Sequence, residues 1–205
     1  RDLVRSRGLG DVYKRQGIRI VGIAIICIGI IVGYYYYLSN HGKKDVENST
    51  EISKVDEALS RDLAKDYPPT PREVVKFYNK LLQCFYNEDC SKSEIEELGG
   101  QARLLMDDAL LANNPKEQYL TLLESDIQDS KDKGKTISDT TVANSSDIKY
   151  QKVKGEECAY VTASYFVKEG NSYTRTYEEY VLRKDTNKQW KILGYQLTKG
   201  DSSDE

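Results

Sequence analysis

Tyrosine is the residue type in this sequence that offers the most scope for chemistry. The chain has 16 tyrosines, and six of them fall in C-terminal segments whose pattern is typical of β-strands. On one face of a sheet, tyrosines form an aromatic surface that can bind sugars, peptides or apolar ligands. Alternating tyrosines also pack a sheet with their hydroxyls at its rim, and this structural role is the favoured expectation for all six and for Trp190. The six are Tyr160, Tyr165, Tyr173, Tyr177, Tyr180 and Tyr195.

Carboxylates are the other candidates for acid–base chemistry. The single histidine, His41, lies three residues after the end of an apolar segment and outside the C-terminal domain, so no histidine base is expected in that domain. Asp107, Asp108 and Asp126 would need shifted pKa values to act as general acids or bases. Asp107 and Asp108 are adjacent on a predicted helix and point in different directions, so they cannot share a proton. Surface contacts or ion pairs are the favoured role, and we assign no catalytic, cofactor-binding or metal-ligating residue.

Composition excludes several classes of function. Cys27, Cys84, Cys90 and Cys158 are too scattered for a zinc site, while a Cys84–Cys90 bridge and free buried thiols both stay open. Residues 1–19 hold six of the 30 Lys and Arg residues and two of the 33 Asp and Glu residues, so the remainder is acidic. Binding of nucleic acid needs clustered positive charge. We therefore expect no cofactor, no metal and no nucleic-acid partner.

An apolar run near the N-terminus has the length of a membrane-spanning helix. Residues 20–32 read IVGIAIICIGIIV, and Gly33, four tyrosines and Leu38 extend the run. About 20 helical residues cross a bilayer core of about 30 Å, and the tyrosines suit its headgroup region. No small-residue cleavage motif follows, which disfavours a cleaved signal peptide. We predict a transmembrane helix over 17–38 that contacts the lipid bilayer through residues 18–38.

Basic residues before this segment predict its orientation. Arg1, Arg5, Arg7, Lys14, Arg15 and Arg19 precede the span, which places the N-terminus in the cytoplasm and the C-terminal domain outside. Residues 1–16 read RDLVRSRGLGDVYKRQ, which is similar to a translated sequencing-adapter read-through, and we expect them to be a non-native extension. Without them, Arg19 is the one basic residue on that flank.

The rest of the chain is predicted to be a polar linker or stalk over 39–66, one folded domain over 67–198 and a disordered tail over 199–205. Thr70, Pro71 and Glu73 predict a helix start, followed by an apolar stripe at helical spacing. A second helix starts at Ser91 with Glu94, or at Ser93 with Glu96, and the glycines at 99 and 100 would kink or split it. A third helix is predicted to open at Asn114-Pro115 and to fade near Lys131. The stripe is Val74, Phe77, Tyr78, Leu81, Leu82 and Phe85.

Strands dominate the chain after residue 134, where β-branched residues and tyrosines alternate with polar ones. We predict strands over 136–143, 148–153, 158–168, 173–183 and 190–197, with a two-residue hairpin at Gly170-Asn171. The fold class is therefore α+β: an N-terminal transmembrane helix, then three helices packed on a curved antiparallel sheet of four to five strands.

The order of elements over residues 68–197 resembles the nuclear transport factor 2-like fold, in the cystatin-like class. The runs QARLLMDDALLANNPKEQYL, AYVTASYFVKEG and WKILGYQL are also similar to uncharacterised membrane-anchored proteins of Gram-positive gut bacteria, a family without an assigned activity. The resemblance implies a pocket between the helices and the sheet. It does not select a function, because this fold serves enzymes, binding modules and structural partners alike.

These observations favour a membrane-anchored, extracytoplasmic domain that is not an enzyme and that binds a protein or small-molecule partner. The alternative is a small-molecule enzyme or carrier that uses a pocket inside the α+β cone. A deep pocket with buried, convergent Asp and Tyr side chains would favour the alternative, whereas a collapsed apolar interior would reject it.

Overall fold

A computed structural model describes residues 53–199 of the chain. The predicted extension over 1–16, the membrane helix over 17–38, the first half of the linker and all but the first residue of the tail lie outside these residues. Among the helices of the described part, none is long and apolar enough to cross a membrane.

The described residues form an α+β domain, which confirms the predicted class, with five helices rather than three. The helices are α1 (Lys54–Leu59), α2 (Pro71–Asn87), α3 (Lys92–Leu104), α4 (Asp108–Asn113) and α5 (Lys116–Asp132). The strands are β1 (Lys135–Val142), β2 (Lys149–Val153), β3 (Glu156–Glu169), β4 (Ser172–Lys184) and β5 (Trp190–Thr198).

The folded unit begins earlier than predicted. Val55 and Ala58 of α1, followed by Leu63, are buried in the core, although their segment was expected to be part of a solvated linker. Three apolar residues at spacings of three and five, within a segment rich in charge, form too short a pattern to predict a core position.

Helix α2 follows its sequence signals closely. The Thr70 side chain accepts a hydrogen bond from the Glu73 amide, Pro71 occupies the first turn, and the predicted apolar stripe faces the core. Helix α3 opens with a complete capping box between Ser91 and Glu94. Such caps satisfy amide donors that have no partner inside the helix.

The predicted second helix is interrupted at residues 105–107 rather than at its glycines. Leu105 and Asp107 exchange backbone hydrogen bonds of 2.8 Å with Ile192 of β5, so this segment leaves helical geometry to pair with the sheet. Gly99 lies within α3. A Cβ at this position would lie 2.8 Å from Leu120 Cδ2, so the glycine lets α5 approach closely. Asn114 is not the cap of α5, whose N-cap is Pro115 without a side-chain hydrogen bond.

The sheet is antiparallel in the order β1-β3-β4-β5, with β2 pairing β3 beyond the end of β1. β3 and β4 are joined by the predicted two-residue hairpin, in which Gly170 has φ of 58°, a conformation that favours glycine. Helix α2 packs on β1, β3 and β5, and α4 packs on β5. The helices thus cover one face of the sheet, as the apolar stripes predicted.

Candidate functional site

A cavity of about 410 Å³ lies between α2 and the helix-facing side of the sheet. Its inner wall is formed by buried side chains, among them Tyr78, Ile137, Tyr165 and Tyr180. Leu197, which is 77% exposed, lies where the cavity opens to solvent. The remaining lining residues are Leu82, Tyr86, Lys135, Thr136, Val167, Glu169, Thr174, Thr176, Glu178 and Tyr195.

Three of the six strand tyrosines line this cavity. Tyr165 pairs with Thr176, and Tyr180 pairs with Tyr195; directly paired residues project from the same face of a sheet. Tyr160, Tyr173 and Tyr177 occupy the alternate positions and project from the outer face. The six tyrosines are therefore divided equally between the two faces and do not form one surface.

A β-bulge in β5 places Tyr195 on the helix-facing side of the sheet. Val181 pairs with Gly194 whereas Leu182 pairs with Ile192, so Leu193 is an extra residue in β5. One extra residue reverses the alternation of side chains beyond it. Ile192 and Tyr195 consequently both face the helices although they are three residues apart.

A chain of hydrogen bonds connects α2 with the carboxyl group of Glu178. The Tyr165 hydroxyl donates to Asn79 Oδ1 over 2.7 Å and lies 2.6 Å from the Tyr180 hydroxyl. The Tyr180 hydroxyl is 2.8 Å from Glu178 Oε2. Four side chains from three elements thus meet in one continuous polar line along the wall of the cavity.

Counting hydrogens shows how this chain depends on the state of Glu178. Its three contacts need three hydrogens, and the hydroxyls of Tyr165 and Tyr180 supply two. A protonated Glu178 supplies the third, and every bond then points toward Asn79 Oδ1. With Glu178 ionised, the third hydrogen comes from the Asn79 amide turned by half a rotation, and every bond points toward the carboxylate.

Burial is the main influence on the titratable groups of this chain. It raises the pKa of Glu178, against the opposing effect of the hydrogen bond from Tyr180. Burial also raises the pKa of Tyr165 and, far more strongly, that of Tyr180. Burial disfavours the charged form of each group, so both tyrosines remain neutral donors at physiological pH.

Aromatic contacts fix the geometry of the tyrosines around Glu178. The ring centroid of Tyr180 is 5.9 Å from that of Tyr78, at an interplanar angle of 69°. It is 5.4 Å from that of Tyr195, at 34°. The Tyr86 hydroxyl donates to Asp126 of α5. Tyr78 and Tyr180 are thus packed together in the inner wall, while Tyr195, which is 57% exposed, presents its ring to the cavity.

The three aspartates singled out in the sequence do not meet in this cavity. Asp107 is 4% exposed, forms two contacts of 2.5 and 2.9 Å with Arg183 and caps α4 through the Ala109 amide. Asp108 is exposed in the first turn of α4. Asp126 is exposed and accepts a hydrogen bond from the Tyr86 hydroxyl, but it does not itself line the cavity. The sequence favoured surface contacts or ion pairs for Asp107 and Asp108, and Asp107 forms an ion pair with Arg183.

The cysteines are free thiols in the described part of the chain. Cys84 and Cys158 are buried and Cys90 is partly buried. The thiols of Cys84 and Cys90 each donate over 3.5 Å to a backbone carbonyl, those of Lys54 and Cys84. Within residues 53–199, no three His, Cys, Asp or Glu side chains are grouped so that they could hold a metal ion.

Glu178 and Asn79 are the polar residues that sequence reasoning missed. Asn79 lies within the apolar stripe of α2, and a polar residue at such a position was the signal in the sequence. The structure shows that Asn79 is only 2% exposed, and buried polar side chains are normally hydrogen-bonded. Glu178 and Glu179 are adjacent in a strand, and their sequence gives no sign of which one faces the helices.

One comparison with known proteins identifies a family. The model of a family described as Domain of unknown function (DUF6715) matches residues 11–195. This match includes the described domain as far as Tyr195, and with it the chain of hydrogen bonds from Asn79 to Glu178. No curated protein matches the sequence.

Proposed function

We propose that this chain, which belongs to the DUF6715 family, is a membrane-anchored binding module that takes up a small molecule in its tyrosine-lined cavity. One observation carries the proposal: about 410 Å³ of space lies against a carboxyl group and several tyrosines. Ligand pockets are concave, mostly apolar and equipped with a few convergent polar groups, and have volumes of roughly 300–1,000 Å³.

The order of helices and strands supports a relationship with the nuclear transport factor 2-like fold. In that fold a cavity between helices and sheet is used in different ways by different proteins. In this chain, too, a cavity lies between the helices and the sheet. We propose the fold relationship together with the binding role.

The ligand-binding proposal is tested by filling the cavity. Thr176 is on the helix-facing side of β4 and lines the cavity, whereas Thr162 lies on the outer face of β3 and is similarly half-buried. A small-molecule library is screened by thermal shift against the full chain and the variants Thr176→Phe and Thr162→Phe. We expect compounds that stabilise the wild type and Thr162→Phe but not Thr176→Phe. Compounds that bind both variants equally, or none at all, would contradict the proposal.

An enzymatic role is the second candidate, and the chain from Glu178 to Asn79 is the observation that favours it. A carboxyl group with a raised pKa, hydrogen-bonded to tyrosine hydroxyls, can exchange a proton with a bound molecule. The two roles differ in the fate of the ligand. Compounds found in the screen are incubated with the full chain and analysed by mass spectrometry: unchanged compounds support binding alone, and a product that Glu178→Gln fails to form supports catalysis.

The location of the domain is a further part of the proposal. We place it outside the cytoplasm, anchored through residues 18–38, on the basis of the apolar run and the basic residues before it. Protease added to intact cells should remove the domain. A domain that is cleaved only after the cells are broken open would overturn this orientation.

A further inference from the structure

We infer that the ligand of the cavity is an organic cation, whose ammonium group lies against tyrosine rings and pairs with the Glu178 carboxylate. The inference rests on the proposed binding function and specifies the chemical class of the ligand. Three features of the cavity support it: an unpaired carboxylate, the surrounding aromatic rings and an apolar remainder.

Glu178 is a half-buried carboxyl group without a cationic partner in the described part of the chain. Its contacts are the Tyr180 hydroxyl and the cavity itself. The other charged side chains of the lining are Lys135 and Glu169, which are exposed and carry opposite charges. Carboxylates withdrawn from water are normally paired with positive charge, and a cationic ligand provides that partner.

The tyrosines favour a cation over a neutral or anionic group. Of the tyrosine rings in the lining, those of Tyr86 and Tyr195 are the accessible ones: Tyr195 is 57% exposed and Tyr86 is half-buried, whereas Tyr180 is 0% exposed. An ammonium group is attracted to the negative face of such a ring. An anion would be repelled by Glu178.

The remaining wall indicates the rest of the ligand. Ile137 of β1 and Val167 of β3 supply apolar surface on the side of the cavity away from β5, and Leu82 of α2 adds further apolar lining. A cavity of about 410 Å³ is larger than an ammonium group alone requires. The ligand therefore combines a single cationic head with a small apolar body, as in an alkyl or aryl ammonium compound.

The charge of the ligand can be tested with three molecules of nearly equal shape. Choline is the cation, 3,3-dimethylbutan-1-ol replaces its nitrogen with carbon, and 3,3-dimethylbutanoate is an anion of the same branched form. Each is titrated calorimetrically into the full chain, purified in a nonionic detergent at pH 7.5. We expect choline to bind at least about tenfold more tightly than the alcohol and the anion not to bind.

Two adjacent glutamates provide the matched variants. Glu178→Gln keeps the shape of the side chain and an acceptor for Tyr180 but removes the charge, and it should abolish the preference for choline. Glu179→Gln removes one charge from the outer face, and the preference should remain. Stability of each variant is checked by thermal unfolding.

The outcomes separate this inference from the proposed function. Equal affinity for choline and the alcohol, or a preference that survives Glu178→Gln, would overturn the cationic ligand class while leaving the cavity as a binding site. Failure of all three molecules to bind would also overturn it. The Thr176→Phe screen then decides independently whether the cavity binds anything.

Discussion

The two faces of the sheet have similar side chains and different surroundings. Each face carries three of the six strand tyrosines and one of the adjacent glutamates of β4. Tyr165 and Tyr180 on the helix-facing side are 4% and 0% exposed and share a hydrogen-bonded chain with Glu178. On the outer face Tyr173 is 54% exposed and stacks on Phe166 at 5.3 Å. Residue type alone therefore does not make the site, since the cover supplied by α2 creates both the burial and the cavity.

The largest expected difference between the faces concerns the removal of a whole tyrosine. Tyr180→Ala should lower the free energy of unfolding by about 3–5 kcal/mol, because a fully buried ring is lost from a packed region. Tyr177→Ala, on the outer face, should cost roughly 1 kcal/mol. Urea unfolding followed by circular dichroism measures both. Equal losses would remove the distinction between the faces.

A salt bridge connects Arg183, on the outer face of β4, with Asp107 at the start of α4. The Arg183 side chain reaches Asp107 beyond β5. Asp107→Asn should lower the free energy of unfolding by about 1.5–3 kcal/mol, because it weakens hydrogen bonds to a charged group. Asp108→Asn is the control and should change it by less than about 0.5 kcal/mol. Similar effects of the two substitutions in chemical denaturation would show that the ion pair contributes little.

Removing a single hydroxyl tests the polar chain. Tyr165→Phe keeps the ring but leaves Asn79 Oδ1 and the Tyr180 hydroxyl without their shared partner, which should cost about 1–3 kcal/mol. Tyr160→Phe, in the same strand and on the other face, should be close to neutral. Thermal unfolding of both variants gives the comparison, and a neutral Tyr165→Phe would mean that the hydroxyl chain is energetically unimportant.

The smallest expected effect concerns the charge of Glu178 and its dependence on pH. Burial raises the pKa of Glu178 above 4.5, so the folded state favours the protonated carboxyl group. The stability that this group contributes is complete below about pH 4.5 and is lost as pH rises through the raised pKa. Tyr165, Tyr180 and Tyr195 face this group and stay neutral in that range, while Lys135 and Glu169 lie at the exposed rim.

Glu178→Gln should therefore be more stable than the wild type at pH 7.5, by at least about 0.5 kcal/mol, and should flatten the fall in stability above pH 4.5. Glu179→Gln should keep the wild-type profile. Thermal unfolding across pH 4 to 8 measures both. A less stable Glu178→Gln at pH 7.5 would show that the carboxylate is favourable in the empty cavity.

Local signals were sufficient to predict most elements of the domain. The cap and stripe of α2, the capping box of α3 and the Gly170 hairpin each depend on residues close together in the chain. The prediction failed where a distant partner competes with local preference. Residues 105–107 leave the helix because β5 offers them backbone hydrogen bonds, and α1 joins the core because the rest of the domain provides a surface for Val55 and Ala58.

The candidate site was less predictable than the fold. The six tyrosines were recognised as candidates for a concave surface, but their division between the faces was not. Ser138 in β1 and Leu193 in β5 are extra residues in the pairing, and each shifts the alternation that a sequence pattern assumes. Nothing in the local sequence marks either position, because a bulge depends on how the neighbouring strand pairs.

Neighbouring residues in the chain are enough to predict the α+β class and most of the elements in their order, because helical and strand periodicities are local. Which tyrosines are buried, which glutamate faces the helices and where a cavity remains were established by the folded domain. These properties depend on strand register and on the cover supplied by α2. Asn79, Tyr165 and Glu178 are not neighbours in the chain, and they are joined by the packing of α2 on the sheet and by the pairing of β3 with β4.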